Sequence, residues 1–448
     1  MKILLVLISL LTSHHGCHAL CYEVSSSSQL WSKINSLQAG DELLIRGGSY
    51  TTNVGGYYKL VTLRGTLNQP IRVFALSNET VLISGDAAAS QNIVNLDVEY
   101  VVFENLRFTL GSRGVRLQHA QHSKFLNLKV DNAGDAAFTA NDSGQTYLNL
   151  TIQGNEISNT RGTGECFYLG CNNAACKMID SIIENNYCHD TNSASQGDGI
   201  ELKTGSYGNI IRNNVIVNTK YPGITLYSTY YTNYDANEKA LAISKPNIIE
   251  GNIIWNSGDN GIQVTGNAII RNNIVMNCGS SCIAIQLNQG VVENVKILFN
   301  TVVTASGGAG LRVTNSGPGI VIANNAAYSN TALYAAQTLP NDAIVLNNVI
   351  QGSTNILTLN ATLKIGNLNS DFQQTSTLPY NLFPTSTSSV LGKASLSQSV
   401  NYDFNGNSNP QPSPNTSGKG SPKANNAVTL SANMLLLVVI AFTALCIM

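Results

Sequence analysis

Along most of the chain, apolar residues alternate with polar ones in short runs, and nearly every run ends in Asn, Asp or Gly. Period-two alternation bounded by turn residues predicts β-strands with one face buried. The runs "RGVRLQ", "AAFTAN", "ECFYLG", "DGIELK", "PGITLY", "NGIQVT", "SCIAIQ" and "AGLRVT" follow one another through the middle of the chain. In such a strand Ile200 and Leu202 point inward, and Glu201 and Lys203 point to solvent.

A second pattern lies between these runs. The segments "FENLRF", "FLNLKV", "QGNEIS", "ENNYCH", "RNNVIV", "EGNIIW", "RNNIVM", "LFNTVV", "ANNAAY" and "LNNVIQ" align on one asparagine: Asn105, Asn127, Asn155, Asn186, Asn214, Asn252, Asn273, Asn300, Asn325 and Asn348. The units are β-branched and Gly-rich, which excludes a helical repeat. They predict an all-β fold, a single-stranded right-handed parallel β-helix of about ten coils, each coil burying its apolar side chains against the coils beside it. The asparagines should stack in one interior column as a hydrogen-bonded ladder, with Ile200, Ile224, Ile262 and Ile283 in another. Residues 29–39 have an amphipathic helical pattern and predict an N-terminal cap over the open end. Beyond Asn348 the repeat decays into "LNATLKIGNLNSDF" and a Pro/Ser/Thr-rich stretch, read as a C-terminal cap. One domain over 21–404 follows.

The ends carry addresses. A basic start, an apolar run from Ile3 to Leu11 and a small residue at Ala19 describe a signal peptide over 1–19. Residues 405–426 are Asn, Ser, Pro and Gly with two lysines, too polar to fold, and read as a stalk. Residues 427–448 are apolar without a basic flank, the pattern of a glycosylphosphatidylinositol (GPI) attachment signal that is removed, with Ser417, Gly418 and Gly420 as attachment candidates. The expected location is the outer face of the plasma membrane, touched through the lipid alone. In that oxidising setting seven cysteines remain once Cys17 and Cys446 are set aside, an odd count that leaves at least one unpaired. Cys171 and Cys176 bracket a short loop and could staple it, and Cys278 and Cys282 flank a turn. Sequons begin at Asn78, Asn141, Asn149, Asn360 and Asn415. With a net charge of −1 and 11% charged residues there is no basic stripe for nucleic acid. A monomer is expected.

Against that sparse charge, two neighbouring coils are rich in acids and bases. Strand stacking puts Glu165 and Asp198 in one column, Tyr168 and Glu201 in a second, and Lys203 and Tyr227 in a third. Tyr221, Tyr227, Tyr230, Tyr231 and Tyr234 crowd the long insertion beside them, which suits stacking on sugar rings, or packing of the loop on the solenoid. Tyr168, Tyr230, Tyr231 and Tyr234 are the candidate substrate-binding residues. His119, His122 and His189 fall in turn segments on different coils and read as structural.

The stretches "AGDELLIRGGSYT", "LRGTLNQPIRVFAL" and "VLISG", with "SSVLGKA" and "DFNGNSNP" near the end, resemble the entry and exit coils of the pectate-lyase-like β-helix superfamily, including the chondroitinase B and alginate lyase family. The resemblance spans most of residues 35–408. In "QGDGIELK" it implies Lys203 as proton abstractor, five residues after Asp198, with Glu165 and Asp198 as calcium ligands. The family's second acidic position falls on Gln196 and its arginine position on Tyr227. The implied activity is β-elimination of a uronate polysaccharide, with Lys203, Tyr227 and Glu201 as catalytic candidates. Two other readings stay open: a glycoside hydrolase using Glu165 with Asp198 or Glu201, and a non-catalytic glycan-binding or structural surface protein in which Glu201–Lys203 is a surface ion pair.

Overall fold

The computed structural model describes residues 20–404, apart from 54–58, 87–90, 230–233, 306, 357, 359–360, 377–379, 393 and 403. The expected signal peptide (1–19), stalk (405–426) and attachment signal (427–448) lie outside the described residues, as do Tyr230 and Tyr231. Among the described residues no helix is long and apolar enough to cross a membrane.

The chain winds as a parallel solenoid with three strand-bearing faces. The first face is a 13-stranded parallel sheet running from Cys21–Val24 to Ile344–Leu346, so the solenoid has more coils than the ten asparagines suggested. The extra coils stand at the N-terminal end, where the repeat carries no asparagine. The second face stacks strands such as Glu156–Ser158, Tyr187–His189, Val215–Val217 and Ile253–Trp255. The third stacks Phe138–Ala140, Phe167–Leu169, Ile200–Leu202, Ile224–Leu226, Ile262–Val264, Ile283–Ile285 and Leu311–Val313 in uninterrupted register. Its inward column, Phe138, Phe167, Ile200, Ile224, Ile262, Ile283 and Leu311, is buried throughout. Each such side chain contributes about 1.5–3 kcal/mol by leaving water.

The corner between the first and second faces explains the asparagines. Asn155, Asn186, Asn214, Asn252, Asn273, Asn300, Asn325 and Asn348 form a continuous ladder, each side-chain amide donating to the next Oδ1 at 2.8–3.0 Å. Two residues depart from expectation. Asn105 and Asn127 sit one position earlier, with φ of 59° and 52°, and Leu106 and Leu128 occupy the ladder column instead. The residue before each ladder asparagine is left-handed: Gly154, Asn185, Asn213, Gly251, Asn272, Phe299, Asn324 and Asn347. Asn tolerates that conformation better than most residues. Asn105 and Asn127 therefore serve the bend rather than the ladder. The ladder's first amide acceptor, Asn155 Oδ1, closes on the Leu128 N–H at 2.8 Å.

A helix over Ser27–Lys33, capped by Ser26 and continued by a 3-10 turn, places Leu30 and Ile34 over the first coils, as the amphipathic pattern requires. The C-terminal segment does more than cover an end. From coil Val215–Val217 onward the outer side of the second face turns apolar (Val215, Ile253, Trp255, Ile274, Met276, Val303), and Phe372, Leu382 and Val390 pack on it as a strap. Tyr328 Oη donates to Asp371 Oδ2 at 2.9 Å, the Trp255 and Tyr380 rings lie 5.5 Å apart, and Asn272 Nδ2 donates to the Tyr402 carbonyl at 2.8 Å.

Candidate functional site

The acids and bases gather on the outer side of the third face. Backbone register sets Tyr168 beside Glu201 and Glu201 beside Thr225. The Cys166 N–H on the Asp198 carbonyl and the Tyr227 N–H on the Leu202 carbonyl bring Glu165 beside Asp198 and Lys203 beside Tyr227. All three expected columns form. The expected exposure does not: Glu201 and Lys203 are 2% and 4% exposed, and Glu165 is fully buried. Two loops are tied together beside the cluster. The Cys171–Cys176 disulfide closes the loop after Tyr168. Gln289 reaches back across the coils, accepting from Asn173 N at 2.9 Å and Thr204 Oγ1 at 2.8 Å and donating to Asn172 Oδ1 at 3.1 Å.

Glu165, Asp198 and Glu201 each offer an oxygen within 4.8 Å of the others. Glu201 joins two halves of the site. Its Oε1 accepts from Lys203 Nζ and, at 2.9 Å, from Tyr227 Oη, while its Oε2 has no partner among the described residues. Lys203 Nζ also donates to Tyr227 Oη at 3.1 Å and lies 4.4 Å from the ring centres of both Tyr168 and Tyr227. On the acid side, Asp198 Oδ1 accepts from Thr225 Oγ1 at 2.8 Å, and Glu165 Oε1 is buried without a partner.

Burial, then the neighbouring Glu201 charge, pushes the Asp198 carboxyl well above the carboxylate range. Burial raises Glu165 too, against the opposing pull of Thr163, with the Glu201 and Asp135 charges adding to the rise. Thr163 Oγ1 stands 2.7 Å from both Glu165 Oε2 and Asp135 Oδ1. It has one hydrogen, so both contacts are satisfied only when one carboxyl is protonated. Asp135 is lowered overall, burial being outweighed by the Thr163 contacts and Arg113, so the proton belongs on Glu165. Burial alone would lower Lys203, but Glu201 and Tyr227 outweigh it and the ammonium is held charged. The Tyr227 phenol is pushed up to about 12 by burial and by Glu201.

The remaining expectations sort by place. Tyr168 is half-buried at the site. Tyr234 serves the insertion rather than the site, since its hydroxyl donates to the Gly205 carbonyl at 3.0 Å and its ring packs against the cluster of Ile179, Tyr207 and Ala242. The insertion that holds it contains a helix over Ala236–Ser244, whose cap Asp235 accepts from Asn237 N and Glu238 N. The "DANE" at its start is a capping signal that could have announced it. His189 stands at the end of the strand Tyr187–His189 rather than in a turn and pairs with Asp190 at 2.8 Å, and His122 stacks on Tyr100 and contacts Asn149. A disulfide joins Cys166, beside Glu165, to Cys188 on the second face; Cys21, Cys278 and Cys282 are free.

Residues 191–327 match the family model described as "Right handed beta helix region". The fold is a right-handed parallel β-helix. No curated protein matches the chain. Among solved structures, an alginate lyase from Paenibacillus sp. str. FPU-7 is similar at 20% identity, over 75% of this chain and 99% of that one, with a TM-score of 0.46. Pectate lyase Pel9A is similar at 15% identity, over 92% and 97% of the two chains, with a TM-score of 0.46. The A-module of the Azotobacter vinelandii mannuronan C-5 epimerase AlgE6 is similar at 14% identity, over 76% and 98%, with a TM-score of 0.45.

Proposed function

We propose that the third face of this β-helix acts on uronate-containing polysaccharide by β-elimination, assisted by a divalent cation. The observation that carries the reading is the cluster of Glu165, Asp198 and Glu201, two of them with buried, unpartnered oxygens, joined through Glu201 to a buried lysine–tyrosine pair. Ionised, three carboxylates face one ammonium, and a divalent cation balances the remainder. The donor set is all oxygen, which suits calcium rather than zinc or copper. Glu165, Asp198 and Glu201 would hold it, and when bound it would offset the sugar carboxylate and so acidify the proton on carbon 5.

The chain's own residues supply the proton transfers. Lys203 Nζ accepts the carbon-5 proton, the carbon 4–oxygen bond breaks as the carbon 4–carbon 5 double bond forms, and Tyr227, a neutral phenol, gives its proton to the leaving oxygen. Lys203 must first release to solvent the proton that Glu201 now holds in place. After the elimination the proton taken from carbon 5 passes from Lys203 to the Tyr227 phenolate, its hydrogen-bond partner at 3.1 Å, which restores both groups. Tyr168 offers a ring edge to the sugar.

One observation favours a second reading. A lysine kept charged between two tyrosine rings is also a receptor for a carboxylate, and a non-catalytic glycan-binding protein needs nothing more. The hydrolase alternative uses the same carboxylates but gives no role to the buried Lys203–Tyr227 pair. Incubating the purified protein with a uronate-polysaccharide panel, with calcium or with chelator, and following the absorbance of unsaturated product separates the readings. Product that disappears in Lys203→Ala while glycan binding persists supports elimination. Binding without product in the wild type supports the receptor, and neither binding nor product sinks both.

We also propose secretion through the 1–19 segment and surface attachment through 427–448. Both rest on sequence pattern. Phosphatidylinositol-specific phospholipase should release the protein from intact cells, and recovery of the 427–448 peptide in the mature protein would refute the anchor.

A further inference from the structure

The outward column that holds Glu201 continues along the axis through Thr225, Gln263, Ala284 and Arg312, one residue per coil. The first three are uncharged and almost wholly buried. Arg312 is different. Its guanidinium donates through Nη2 to Gln286 Oε1, its Nε is buried without a partner, and it has no ion pair among the described residues. At the opposite end of the same column Arg116 is neutralised by Asp142 at 2.6 Å. The next residue beyond Arg312 in the column is Tyr334, 38% exposed.

A partly buried guanidinium with an idle Nε–H lacks the hydrogen bond that its desolvation calls for. An exposed tyrosine one coil away supplies a flat apolar face with a polar edge. Together they match a sugar that carries a carboxylate. Arg312 stands four coils from Glu201, about 19 Å at the usual strand spacing of about 4.8 Å. A sugar chain laid along the axis advances roughly one ring per coil, so it reaches Arg312 at about its fifth unit. Gln286, which accepts from Arg312, stands three residues before Gln289, which accepts from Asn173 and from Thr204 next to Lys203, so one loop reaches toward both places.

We propose that Arg312 and Tyr334 form a distal subsite for the carboxylate of a second uronate in the same chain, several units from the one over Glu201. The proposal rests on the acidic-glycan reading above and deepens it: the ligand is an extended polyanion read at two places, not a single sugar.

The test is equilibrium binding of uronate oligosaccharides from disaccharide to octasaccharide by the wild type, Arg312→Gln, Arg312→Lys and Tyr334→Ala, with uncharged oligosaccharides of equal length as controls. A charge-assisted hydrogen bond supports an affinity step of about tenfold or more. The wild type should show that step once the chain reaches about five units. Arg312→Gln should erase the step and leave the disaccharide and trisaccharide unchanged, Arg312→Lys should restore part of it, and Tyr334→Ala should reduce it. Equal loss on short and long chains in Arg312→Gln overturns the subsite, as does an equal step with uncharged chains. A wild type that binds short uronates with no step overturns the subsite and leaves the acidic site standing. A wild type that binds none overturns both.

Discussion

Replacing Asp198 with asparagine tests the acid cluster most directly. The amide keeps the shape of the carboxylate and can still accept the 2.8 Å contact from Thr225, but it removes one of three ionisable carboxyls with oxygens within 4.8 Å of one another. At that separation an ionised pair repels by about 3–4 kcal/mol at an effective dielectric of about 20. The Glu165 and Asp198 carboxyls are both raised, mainly by burial. A raised carboxyl binds its proton more tightly folded than unfolded, so its contribution is complete below the ordinary values of 4.5 and 3.8 and drains away as pH climbs through the raised ones. In chelator, wild-type Tm should therefore fall as pH rises above the ordinary carboxylate values and through the raised ones, and Asp198→Asn should fall less and melt higher at the alkaline end. Calcium at about a hundred times its dissociation constant adds about 2.7 kcal/mol to the wild type, roughly 3 °C for a domain of this size. The variant, short of a ligand and a charge, should gain little. Scanning calorimetry across pH, with chelator, calcium or magnesium, reads all of this. A calcium shift in Asp198→Asn equal to that of the wild type, or a wild-type Tm flat across that pH range, would refute the reasoning.

Other outcomes follow from the same geometry. Asn252→Ala removes an amide that donates to the Ile211 carbonyl and Asn273 Oδ1 and accepts from the Asn214 backbone N–H and Nδ2; stranding these buried groups should cost about 3–5 kcal/mol, read by denaturant unfolding. Leu128→Asn should extend the ladder by a rung at little or no cost, because its N–H already donates to Asn155 Oδ1 at 2.8 Å; a loss above about 2 kcal/mol would show that the column there demands an apolar side chain. Under non-reducing denaturation, alkylation should label Cys21, Cys278 and Cys282 and spare the other four described cysteines; labelling of Cys166 or Cys188 would contradict the cross-link between the second and third faces.

The solenoid was legible because one strand per face per coil writes its period into the chain many times over. The ladder's phase was misread in two coils because asparagine answers two demands at adjacent positions, the left-handed bend and the amide stack, and Asn105 and Asn127 meet only the first. The columns of the site were legible from strand register alone. Their burial was not: contacts such as those of Gln289 with Asn172 and Asn173 join loops more than a hundred residues apart, and no local pattern records such a contact. The raised Lys203 comes from Glu201 and Tyr227 outweighing that burial, a balance no local pattern records. The partner of Cys166 was hidden because spacing does not fix connectivity.

The strap along the second face bears on how the molecule comes apart. In a plain solenoid each coil touches only its neighbours, so stability is a sum of local terms and the ends open first. Here Tyr380 meets Trp255, Tyr402 meets Asn272, Ser395 meets Asn324 and Phe372 meets Tyr328, so one short segment grips several coils at once. Those coils cannot peel away singly without breaking contacts that belong to others. The C-terminal half should melt as one cooperative block, whereas the coils before Tyr187 keep the piecemeal fraying of an unbraced stack. The acid site, at Glu165 and Asp198, lies on the boundary between the two regimes.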